Sequence, residues 1–370
     1  MTTPATRISR AVLLGLLTCS PILASADTYS SRAPAHHASP ADQLFNKGKV
    51  LIQQNNVLEG IHWLQQAATQ GHATAAYELA SLYEAGLGVP KNFQQAKSYY
   101  ELAIQQGHRN AHYNLALLYN NEQASFRNLQ KARELMQTIA QQGDIEAQFV
   151  LATLFESESY QATAQPAAAM HWLQSAANRG HGKSQFRLGM YYLRGQYIAK
   201  DSQHAFGWFQ KAAKQGVAGA QFNLALMYAK GDGTGANPNM ALHWYQAAAN
   251  LGNANAQQNL GIKYLTGEYS PPHQNAGINL ITQAATSGLR NAQFLLGQLY
   301  QSGYEGKMMV DLGKAEKWYL RAAKQGQSDA QYQLALILLE KKNRANDAKF
   351  WIQQAIAAGH QDAIKLQAEL

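Results

Sequence analysis

The chain has 370 residues, of which 46% are hydrophobic and 15% charged, so it is a folded protein that is too long for one compact core. Its net charge of +8 is not concentrated in Lys/Arg runs, which argues against a nucleic-acid partner. The single cysteine, Cys19, rules out an intramolecular disulfide and a cysteine-based zinc or redox site.

Residues 1–26 have the layout of a secretory signal peptide. Arg7 and Arg10 precede the apolar run Ala11–Leu17, and the segment ends in the small residues Ala24–Ala26. We therefore predict cleavage at the end of this segment and export of the mature chain, which would be periplasmic or secreted.

Lipidation of Cys19 is the alternative for this segment, because Leu16–Cys19 loosely resembles a lipobox, although Thr18 is a poor residue before the cysteine. The apolar run is too short to span a bilayer, and 18 consecutive apolar residues occur nowhere later, so no transmembrane segment is expected. Residues 27–40 are rich in Ser, Ala and Pro without periodicity, and we predict a flexible leader there.

Internal repetition dominates the rest of the chain. Glycines recur at intervals of 33 to 38 residues, close to the 34-residue period of tetratricopeptide hairpins, at positions 71, 107, 143, 180, 216, 252, 288, 326 and 359. The pattern predicts a degenerate N-terminal hairpin over 41–71, eight repeats over 72–359 and a closing helix over 360–370.

Each repeat contains two amphipathic segments, which we name helix A and helix B. Helix A reads Ala-x-aromatic-x-Leu-Ala/Gly-x-x-Tyr, as in Ala220–Tyr228, and helix B reads Ala-x-x-Trp-Tyr-x-x-Ala-Ala-x-x-Gly, as in Ala241–Gly252. The small residue after the helix A leucine should let helix B approach closely. One helix B position repeatedly carries tryptophan, and we predict that it is a repeated core slot, with Trp63, Trp172, Trp208, Trp244, Trp318 and Trp351.

These combined motifs resemble the Sel1-like repeat family over Ala41–Gly359. The resemblance implies an all-α fold, an α/α superhelix or solenoid of helical hairpins, that binds a protein or peptide without catalysis and without a cofactor. Two departures occur: Leu135-Met136 replaces Trp-Tyr in one repeat, and Ser157–Pro166 is an insertion in the next.

Enzyme motifs give no support for catalysis. His181–Ser184 ends like a phosphate-binding loop but lacks the earlier glycine, and Gly231–Gly235 is predicted to be a flexible inter-helix loop, because neither has a preceding strand. The sequence contains no HExxH, GxSxG or SxxK motif.

Histidines recur beside the repeat motifs. His62, His171 and His243 each precede a helix B tryptophan, but they fall in separate hairpins, too far apart for bonds of about 2 Å to one metal ion. We predict structural roles for them. The histidines that follow the repeat glycines, such as His72 and His108, are predicted to start helices, and no metal site is expected.

The candidate binding surface comes from a helical wheel of helix A. Steps of 100° from the repeat leucine place positions −5, −1 and +6 on one stripe, and the aromatic at −2 is predicted to pack on the preceding hairpin. We call this the helix A stripe. Its predicted partner-binding residues are Asn110, Asn114, Asn121, Lys183, Arg187, Arg194, Asn223, Lys230, Asn255 and Asn259, with Glu78, Asp329 and Glu340 in the terminal repeats.

In arrays of this family helix A lines the concave surface, so the stripe would form an asparagine-rich groove with a basic centre. Asparagine can bond a peptide backbone, and Arg or Lys can hold a carboxylate or phosphate, so an acidic partner is expected. A merely solvated face is the alternative for these residues.

The leading functional hypothesis is an exported scaffold, acting as a monomer, that recognises a protein partner. The layout is similar to secreted Sel1 proteins that intracellular bacterial pathogens use in host-cell entry and vacuole trafficking. It is equally similar to periplasmic Sel1 adaptors of envelope assembly, polysaccharide export or signalling. A peptidoglycan-active or lactam-hydrolysing enzyme is the alternative class, but the members proposed for it carry a cysteine pair per repeat, which this chain lacks.

Overall fold

The computed structural model describes residues 39–156, 166–268, 273–341 and 343–369, and these ranges contain nineteen α-helices and no β-strand. An isolated β-bridge between Tyr304 and Met308 is the one extended pairing in the described ranges. The predicted all-α fold of consecutive helical hairpins is therefore confirmed. The predicted signal peptide and all but the last two residues of the predicted leader lie outside the described residues.

The helices alternate between A and B along nine hairpins. The A helices are α1 (Pro40–Gln53), α3 (Ala73–Ala85), α5 (Arg109–Asn120), α7 (Ile145–Glu156), α9 (Gly182–Arg194), α11 (Ala218–Lys230), α13 (Ala254–Leu265), α15 (Arg290–Ser302) and α17 (Ser328–Leu339). The B helices are α2 (Val57–Thr69), α4 (Phe93–Gln105), α6 (Leu129–Gln141), α8 (Pro166–Asn178), α10 (Ser202–Lys214), α12 (Pro238–Asn250), α14 (Gln274–Thr286), α16 (Leu312–Lys324) and α18 (Ala345–Ala357). After hairpin 9, α19 (Gln361–Glu369) occupies the position predicted for the closing helix.

The first helix starts slightly earlier than predicted. Ser39 caps α1 through a reciprocal pair of bonds, in which its hydroxyl accepts from the Asp42 amide at 3.1 Å and the Asp42 carboxylate accepts from the Ser39 amide at 2.9 Å. Pro40, assigned to the leader by composition, is thus the first helical residue. The predicted insertion at 157–166 lies outside the described residues except for Pro166, which begins α8.

Both turns of the hairpin have a local cause. The nine predicted glycines after the B helices have φ between 77° and 94°, the left-handed conformation that ends a helix at little cost to glycine. At the other turn, an Asn or Asp side chain caps helix B in hairpins 2, 3, 5, 6 and 8. In hairpin 6, Asn237 accepts from the Met240 amide at 3.0 Å and donates its own amide to the Tyr228 carbonyl at 2.8 Å.

The hairpin core is formed by helix B residues that face small residues of helix A. Phe209 and Tyr319 are fully buried. A Cβ atom on Gly189 would lie 2.8 Å from the Phe209 ring, and one on Gly297 would lie 2.6 Å from the Tyr319 ring. The predicted close approach of the two helices is therefore confirmed. It is possible because glycine has no side chain at these helix A positions.

The prediction that the repeated tryptophan fills the hairpin core was wrong. The buried core residue is the one that follows the tryptophan in helix B. Tyr245 is 2% exposed in the hairpin core, whereas the preceding Trp244 is half-buried. Trp244 packs on a cluster that joins Phe209 of the preceding hairpin to Leu224 of its own, and also on the cluster that contains Tyr245. One residue turns a helix by 100°, so Tyr245 faces its own helix A while Trp244 faces the seam between hairpins.

A buried glutamine near the start of helix A ties consecutive hairpins together. The Nε2 atom of Gln221 donates to the Ala213 carbonyl at 3.1 Å, and that of Gln293 donates to the Ala285 carbonyl at 3.1 Å. The same bond occurs at Gln148, Gln185, Gln257 and Gln331. Each carbonyl lies in the last turn of helix B and also accepts from the backbone amide of the repeat glycine three residues later, so the glutamine supplies a second donor.

The chain divides into two compact units, one up to Ala176 and one from Ala177. Helices α1 to α7 in the first unit, and α9 to α19 in the second, pack mainly against their neighbours in sequence. Packing between sequence neighbours is the organisation of a solenoid, in which each repeat completes the core of the next.

Candidate protein-binding surface

The helix A stripe has exposed ends and a half-buried middle. Positions −5 and +6 are exposed at Lys183, Arg194, Lys230 and Asn255, whereas position −1 is half-buried. The half-buried members are Asn114, Arg187, Asn223 and Asn259. Asn110 is exposed and Asn121 half-buried. The stripe therefore exists as a surface, but its −1 members also take part in packing.

The packing direction of the aromatic at −2 explains this partial burial and corrects the prediction. Tyr77 stacks on His108 of the following hairpin, with ring centroids 4.2 Å apart. Phe186 lies against Gly219 of the following hairpin, where a Cβ atom would be 2.9 Å from the ring. The aromatic thus packs forward along the array, not backward, and covers part of the next stripe.

Two of the predicted asparagines bond to tyrosines of the preceding hairpin. Asn114 donates to the hydroxyl of Tyr77 at 2.9 Å and more weakly to that of Tyr100 at 3.4 Å. Asn259 bonds the Tyr245 hydroxyl, which partly opposes the rise in the Tyr245 pKa caused by burial. These amides satisfy buried hydroxyls between hairpins, so their first role is structural.

The basic residues lie on neighbouring A helices of the second unit. Lys183, Arg187 and Arg194 are on α9, and Lys230 is on α11. Phe186 of α9 lies against Gly219 of α11, so these two A helices are neighbours in the array. The stripe positions of α9, α11 and α13 contain no carboxylate. These stripe positions therefore carry cations and no anion.

An aliphatic row beside the stripe was missed from the sequence. Met190, Leu226 and Ile262 occupy position +2 of helix A, next to the stripe on the wheel, and all three are half-buried. Their pattern is visible in the sequence, but periodicity alone does not distinguish an apolar residue beside the stripe from one in the core. The second unit thus presents polar groups with partly accessible aliphatic side chains alongside.

The acidic residues of the terminal repeats are in separate settings. Asp329 lies 3.3 Å from the ring of His360 in the second unit. In the first unit, burial raises the pKa of Glu78, and Lys49 at 3.7 Å opposes that rise. Glu78 therefore belongs to a half-buried ion pair with Lys49.

His72 and His243 both make structural contacts. The Nδ1 atom of His72 accepts from the Ala75 amide at 3.1 Å, which caps α3. His243 lies edge-on to Trp244, with ring centroids 5.0 Å apart. Across the described residues, no three His, Cys, Asp or Glu side chains are grouped as metal ligands. None of the described helices is both long and apolar enough to cross a bilayer.

The comparisons with known proteins agree with this architecture. The sequence matches the Sel1 repeat in nine segments, residues 41–72, 73–108, 109–144, 145–181, 182–217, 218–253, 254–289, 290–327 and 328–360. The first segment includes the hairpin that the sequence pattern marks as degenerate. A search of curated proteins gave no significant match.

Two solved structures are similar over most of the chain. A Sel1 repeat protein from Oxalobacter formigenes is 26% identical with a TM-score of 0.68, covering 88% of this chain and 99% of that one. A protective antigen present in uropathogenic Escherichia coli strains, which displays an SLR fold, is 26% identical with a TM-score of 0.65, covering 87% of this chain and 70% of that one. Nine matched repeats on a framework of nine hairpins show that the chain belongs to the Sel1 repeat family.

Proposed function

We propose that this chain is an exported, non-enzymatic scaffold that binds an acidic segment of a protein partner through the helix A stripe of its second unit. The observation that carries the proposal is the run of α9, α11 and α13, whose stripe positions hold cations and amides without a carboxylate. Repeat arrays generally use such extended surfaces for protein recognition.

The chemistry of the stripe suits an extended acidic peptide. Arg194 and Lys230 are exposed and can pair with carboxylates, while the exposed amide of Asn255 can bond a peptide backbone. Met190 and Leu226 offer apolar contacts beside them. Apolar side chains beside a charge pair exclude part of the surrounding water, and this makes the pair stronger than a fully hydrated pair.

We place this scaffold in the interaction of a bacterium with its host. The signal-peptide layout of residues 1–26 supports export, and the similarity to a protective antigen of uropathogenic bacteria supports a role at or beyond the cell surface. An adaptor role inside the envelope is the competing context. Affinity capture with residues 27–370 as bait, from host lysate and from envelope extract, distinguishes the two contexts. A partner that binds saturably and comes from host lysate supports the host role, and one from envelope extract supports the adaptor role.

The stripe is tested by reversing its exposed charges. Arg194→Glu with Lys230→Glu should leave the melting temperature nearly unchanged, because exposed substitutions usually alter stability by less than about 0.5 kcal/mol. Binding of the captured partner should weaken at least about tenfold, equivalent to about 1.4 kcal/mol. The matched control is Lys214→Glu with Lys324→Glu, which reverses two exposed charges on B helices of the same unit.

Salt dependence gives a second readout for the same pair of variants. Wild-type binding should weaken as salt rises from low to physiological concentration, since exposed charges are screened over roughly 8–10 Å. The stripe variant should show a shallower dependence and the helix B control a normal one. If the folded stripe variant keeps wild-type affinity and salt response, the partner binds elsewhere and the proposal is wrong.

The absence of catalysis is tested directly. The purified mature chain should hydrolyse neither a chromogenic lactam nor isolated peptidoglycan above the rate of buffer. Turnover that follows the protein through two purification steps would contradict the scaffold proposal.

A further inference from the structure

The loop that joins α15 to α16 in hairpin 8 exposes large apolar side chains. Met309 is 85% exposed and Val310 60%, and Leu312 at the start of α16 is 44% exposed. Single exposed apolar residues are ordinary on a protein surface, whereas contiguous ones mark an interaction site. We call these three residues the apolar tip.

The fold does not require apolar residues at the two loop positions of the tip. The loop spans 303–311, two residues more than the equivalent loop 195–201 of hairpin 5. In hairpins 2, 5 and 6 the two residues before the helix B cap are all exposed, and they are Pro90-Lys91, Ala199-Lys200 and Gly235-Ala236. Small or polar residues are therefore sufficient there, and hairpin 8 differs by placing Met309 and Val310 in the same exposed positions.

The longer loop holds the apolar tip in a fixed place. Tyr304 and Met308 exchange two backbone hydrogen bonds, of 2.9 and 3.1 Å. The Tyr304 hydroxyl also donates to the Leu265 carbonyl at the end of α13, at 2.6 Å. Met308 packs on the buried cluster that contains Ile281. The tip thus projects from an anchored turn.

A row of cations begins beside the apolar tip. Steps of 100° place four exposed residues of α16 within an arc of about 80°, and they are Lys314, Lys317, Arg321 and Lys324. We call them the α16 cation row. A rise of 1.5 Å per residue brings the last of them within about 18 Å of Leu312 along the helix axis. The B helices of the two preceding hairpins, α12 and α14, contain neither Lys nor Arg.

The carboxylates near the cation row have partners of their own. In residues 303–324 and on the next B helix, the pairs are Glu305 with Gln274, Asp311 with Lys314 at 3.2 Å, Glu316 with Lys341 and with Arg344 at 3.8 Å, and Asp347 with Arg344. The preceding helices α14 and α15 contain no Asp or Glu. Within the described residues, Lys317 and Lys324 therefore have no ion pair.

The next B helix extends this surface. Trp351 of α18 packs on the cluster that contains Tyr319 of α16, so the two helices are neighbours. Phe350 stands at the repeat position of Lys317 and is 51% exposed, and Lys349 beside it is also exposed. A second apolar side chain next to a cation thus lies on the same side of the array.

We propose that this face of hairpins 8 and 9 docks on the surface of an anionic phospholipid bilayer. The apolar tip and Phe350 enter the headgroup region, while Lys317 and Lys324 pair with lipid phosphates. The protruding tip favours a bilayer over a protein partner, because an apolar side chain needs no shaped pocket in lipid. Flexible lysine stems also suit mobile phosphates. The face is separate from the helix A stripe.

Vesicle binding by residues 27–370 tests the proposal. These residues contain every described helix and lack both Cys19 and the apolar run before it. The chain should co-sediment with phosphatidylcholine vesicles that contain about 30% phosphatidylglycerol, and at least about tenfold more weakly with pure phosphatidylcholine. Binding should also weaken as salt rises. No binding to the anionic vesicles at low salt, or equal binding to both vesicles, would overturn the proposal.

Charge reversal separates this face from the net charge of the chain. Lys317→Glu with Lys324→Glu should weaken binding to the anionic vesicles at least about tenfold. Arg194→Glu with Lys230→Glu makes the same change in net charge on the helix A stripe and should weaken it by less than about threefold. Equal losses would mean that net charge alone drives adsorption, and the proposal would be wrong. The stripe variant tests protein binding independently, so either proposal can fail without the other.

The apolar tip is tested by its polarity and by its depth in the lipid. Met309→Ser with Val310→Ser should weaken vesicle binding at least about fivefold, whereas Leu251→Ser, at a residue 55% exposed in the same unit, should not. An environment-sensitive fluorophore on Met309→Cys should shift its emission to the blue on anionic vesicles, and the same label on Leu251→Cys should not. An unshifted label at Met309, or equal shifts at both sites, would contradict docking through the tip.

Discussion

At the scale of single residues, the buried glutamine of helix A shows how a polar group stabilises an interface between repeats. Gln293 is 5% exposed, donates to the Ala285 carbonyl and accepts from Gln325 Nε2 at 2.8 Å. Gln221 occupies the same repeat position at 6% exposure, but its Oε1 atom is buried without a hydrogen-bond partner. Gln293 and Gln221 are equally buried but differ in their number of hydrogen bonds, so comparing them isolates the effect of the second hydrogen bond on stability.

Replacing Gln293 with methionine should cost about 1–3 kcal/mol, because the change removes two buried hydrogen bonds, one to the Ala285 carbonyl and one from Gln325 Nε2. Gln221→Met should cost about 1 kcal/mol or less, since it also removes an unsatisfied acceptor. Urea unfolding of both variants measures the difference. Equal losses would mean that the second hydrogen bond at Gln293 does not contribute to stability.

His108 makes the stability of the first unit depend on pH. Its ring stacks on Tyr77, and its Nδ1 atom is buried without a hydrogen-bond partner. Burial lowers the pKa of His108, and nearby His72 lowers it further. The unfolded chain then binds more protons than the folded one below about pH 6.5, so stability falls as the pH drops through that value.

His108→Asn should reduce this acid sensitivity, because asparagine is a good helix cap and does not titrate. The unfolding midpoint is compared at pH 7.5 and pH 5.5 for wild type and variant. The other histidines are common to both chains, so their contributions cancel. An identical loss of stability in both would show that His108 is not the titrating group.

At the scale of elements, the loops between helices A and B are packed parts of the array. The glycine-rich loop Gly231–Gly235 was predicted to be flexible, yet Gly233 lies against the start of α10 in the preceding hairpin. A Cβ atom on Gly233 would be 2.2 Å from the Ser202 carbonyl oxygen, and its φ is +69°. In the same loop, Gly235 has no neighbour within 4 Å of such an atom.

Gly233→Ala should therefore destabilise the second unit by about 1–3 kcal/mol through backbone strain and the clash with Ser202. Gly235→Ala should change stability by less than about 0.5 kcal/mol. Thermal unfolding of both variants provides the comparison. A Gly233→Ala variant as stable as Gly235→Ala would mean that the loop can move away from α10 at no cost.

At the scale of the whole molecule, packing between sequence neighbours should confine the effect of a mutation to nearby hairpins. Tyr245→Ala removes a buried aromatic, a change that typically costs about 3–5 kcal/mol. In hydrogen exchange, the amides of α11 to α13 should lose protection while those of α17 to α19 keep it.

Trp244→Ala should have a smaller effect because Trp244 is half-buried at the seam. A uniform loss of protection throughout the second unit in Tyr245→Ala would contradict the nearest-neighbour account. Equal effects of the two substitutions would contradict the assignment of Tyr245 to the core.

The sequence by itself determined the hairpins, because their causes are local. Gly252 ends α12 through its own backbone conformation, and the 3.6-residue period of Ala220–Tyr228 is enough to define an amphipathic helix. The small residues of helix A, such as Gly297, were recognised for the same reason.

Only the tertiary structure decided which neighbouring hairpin is contacted by each helix face that points away from its own hairpin core. The wheel placed Tyr77 correctly off the hairpin core, but it could not tell the preceding hairpin from the following one. It could not show that Trp244 lies between hairpins while Tyr245 lies in the hairpin core. Nor could it show that the Asn114 side chain donates a hydrogen bond to the Tyr77 hydroxyl. These outcomes depend on the stacking direction of whole hairpins, which is set by long-range packing and not by periodicity along one helix.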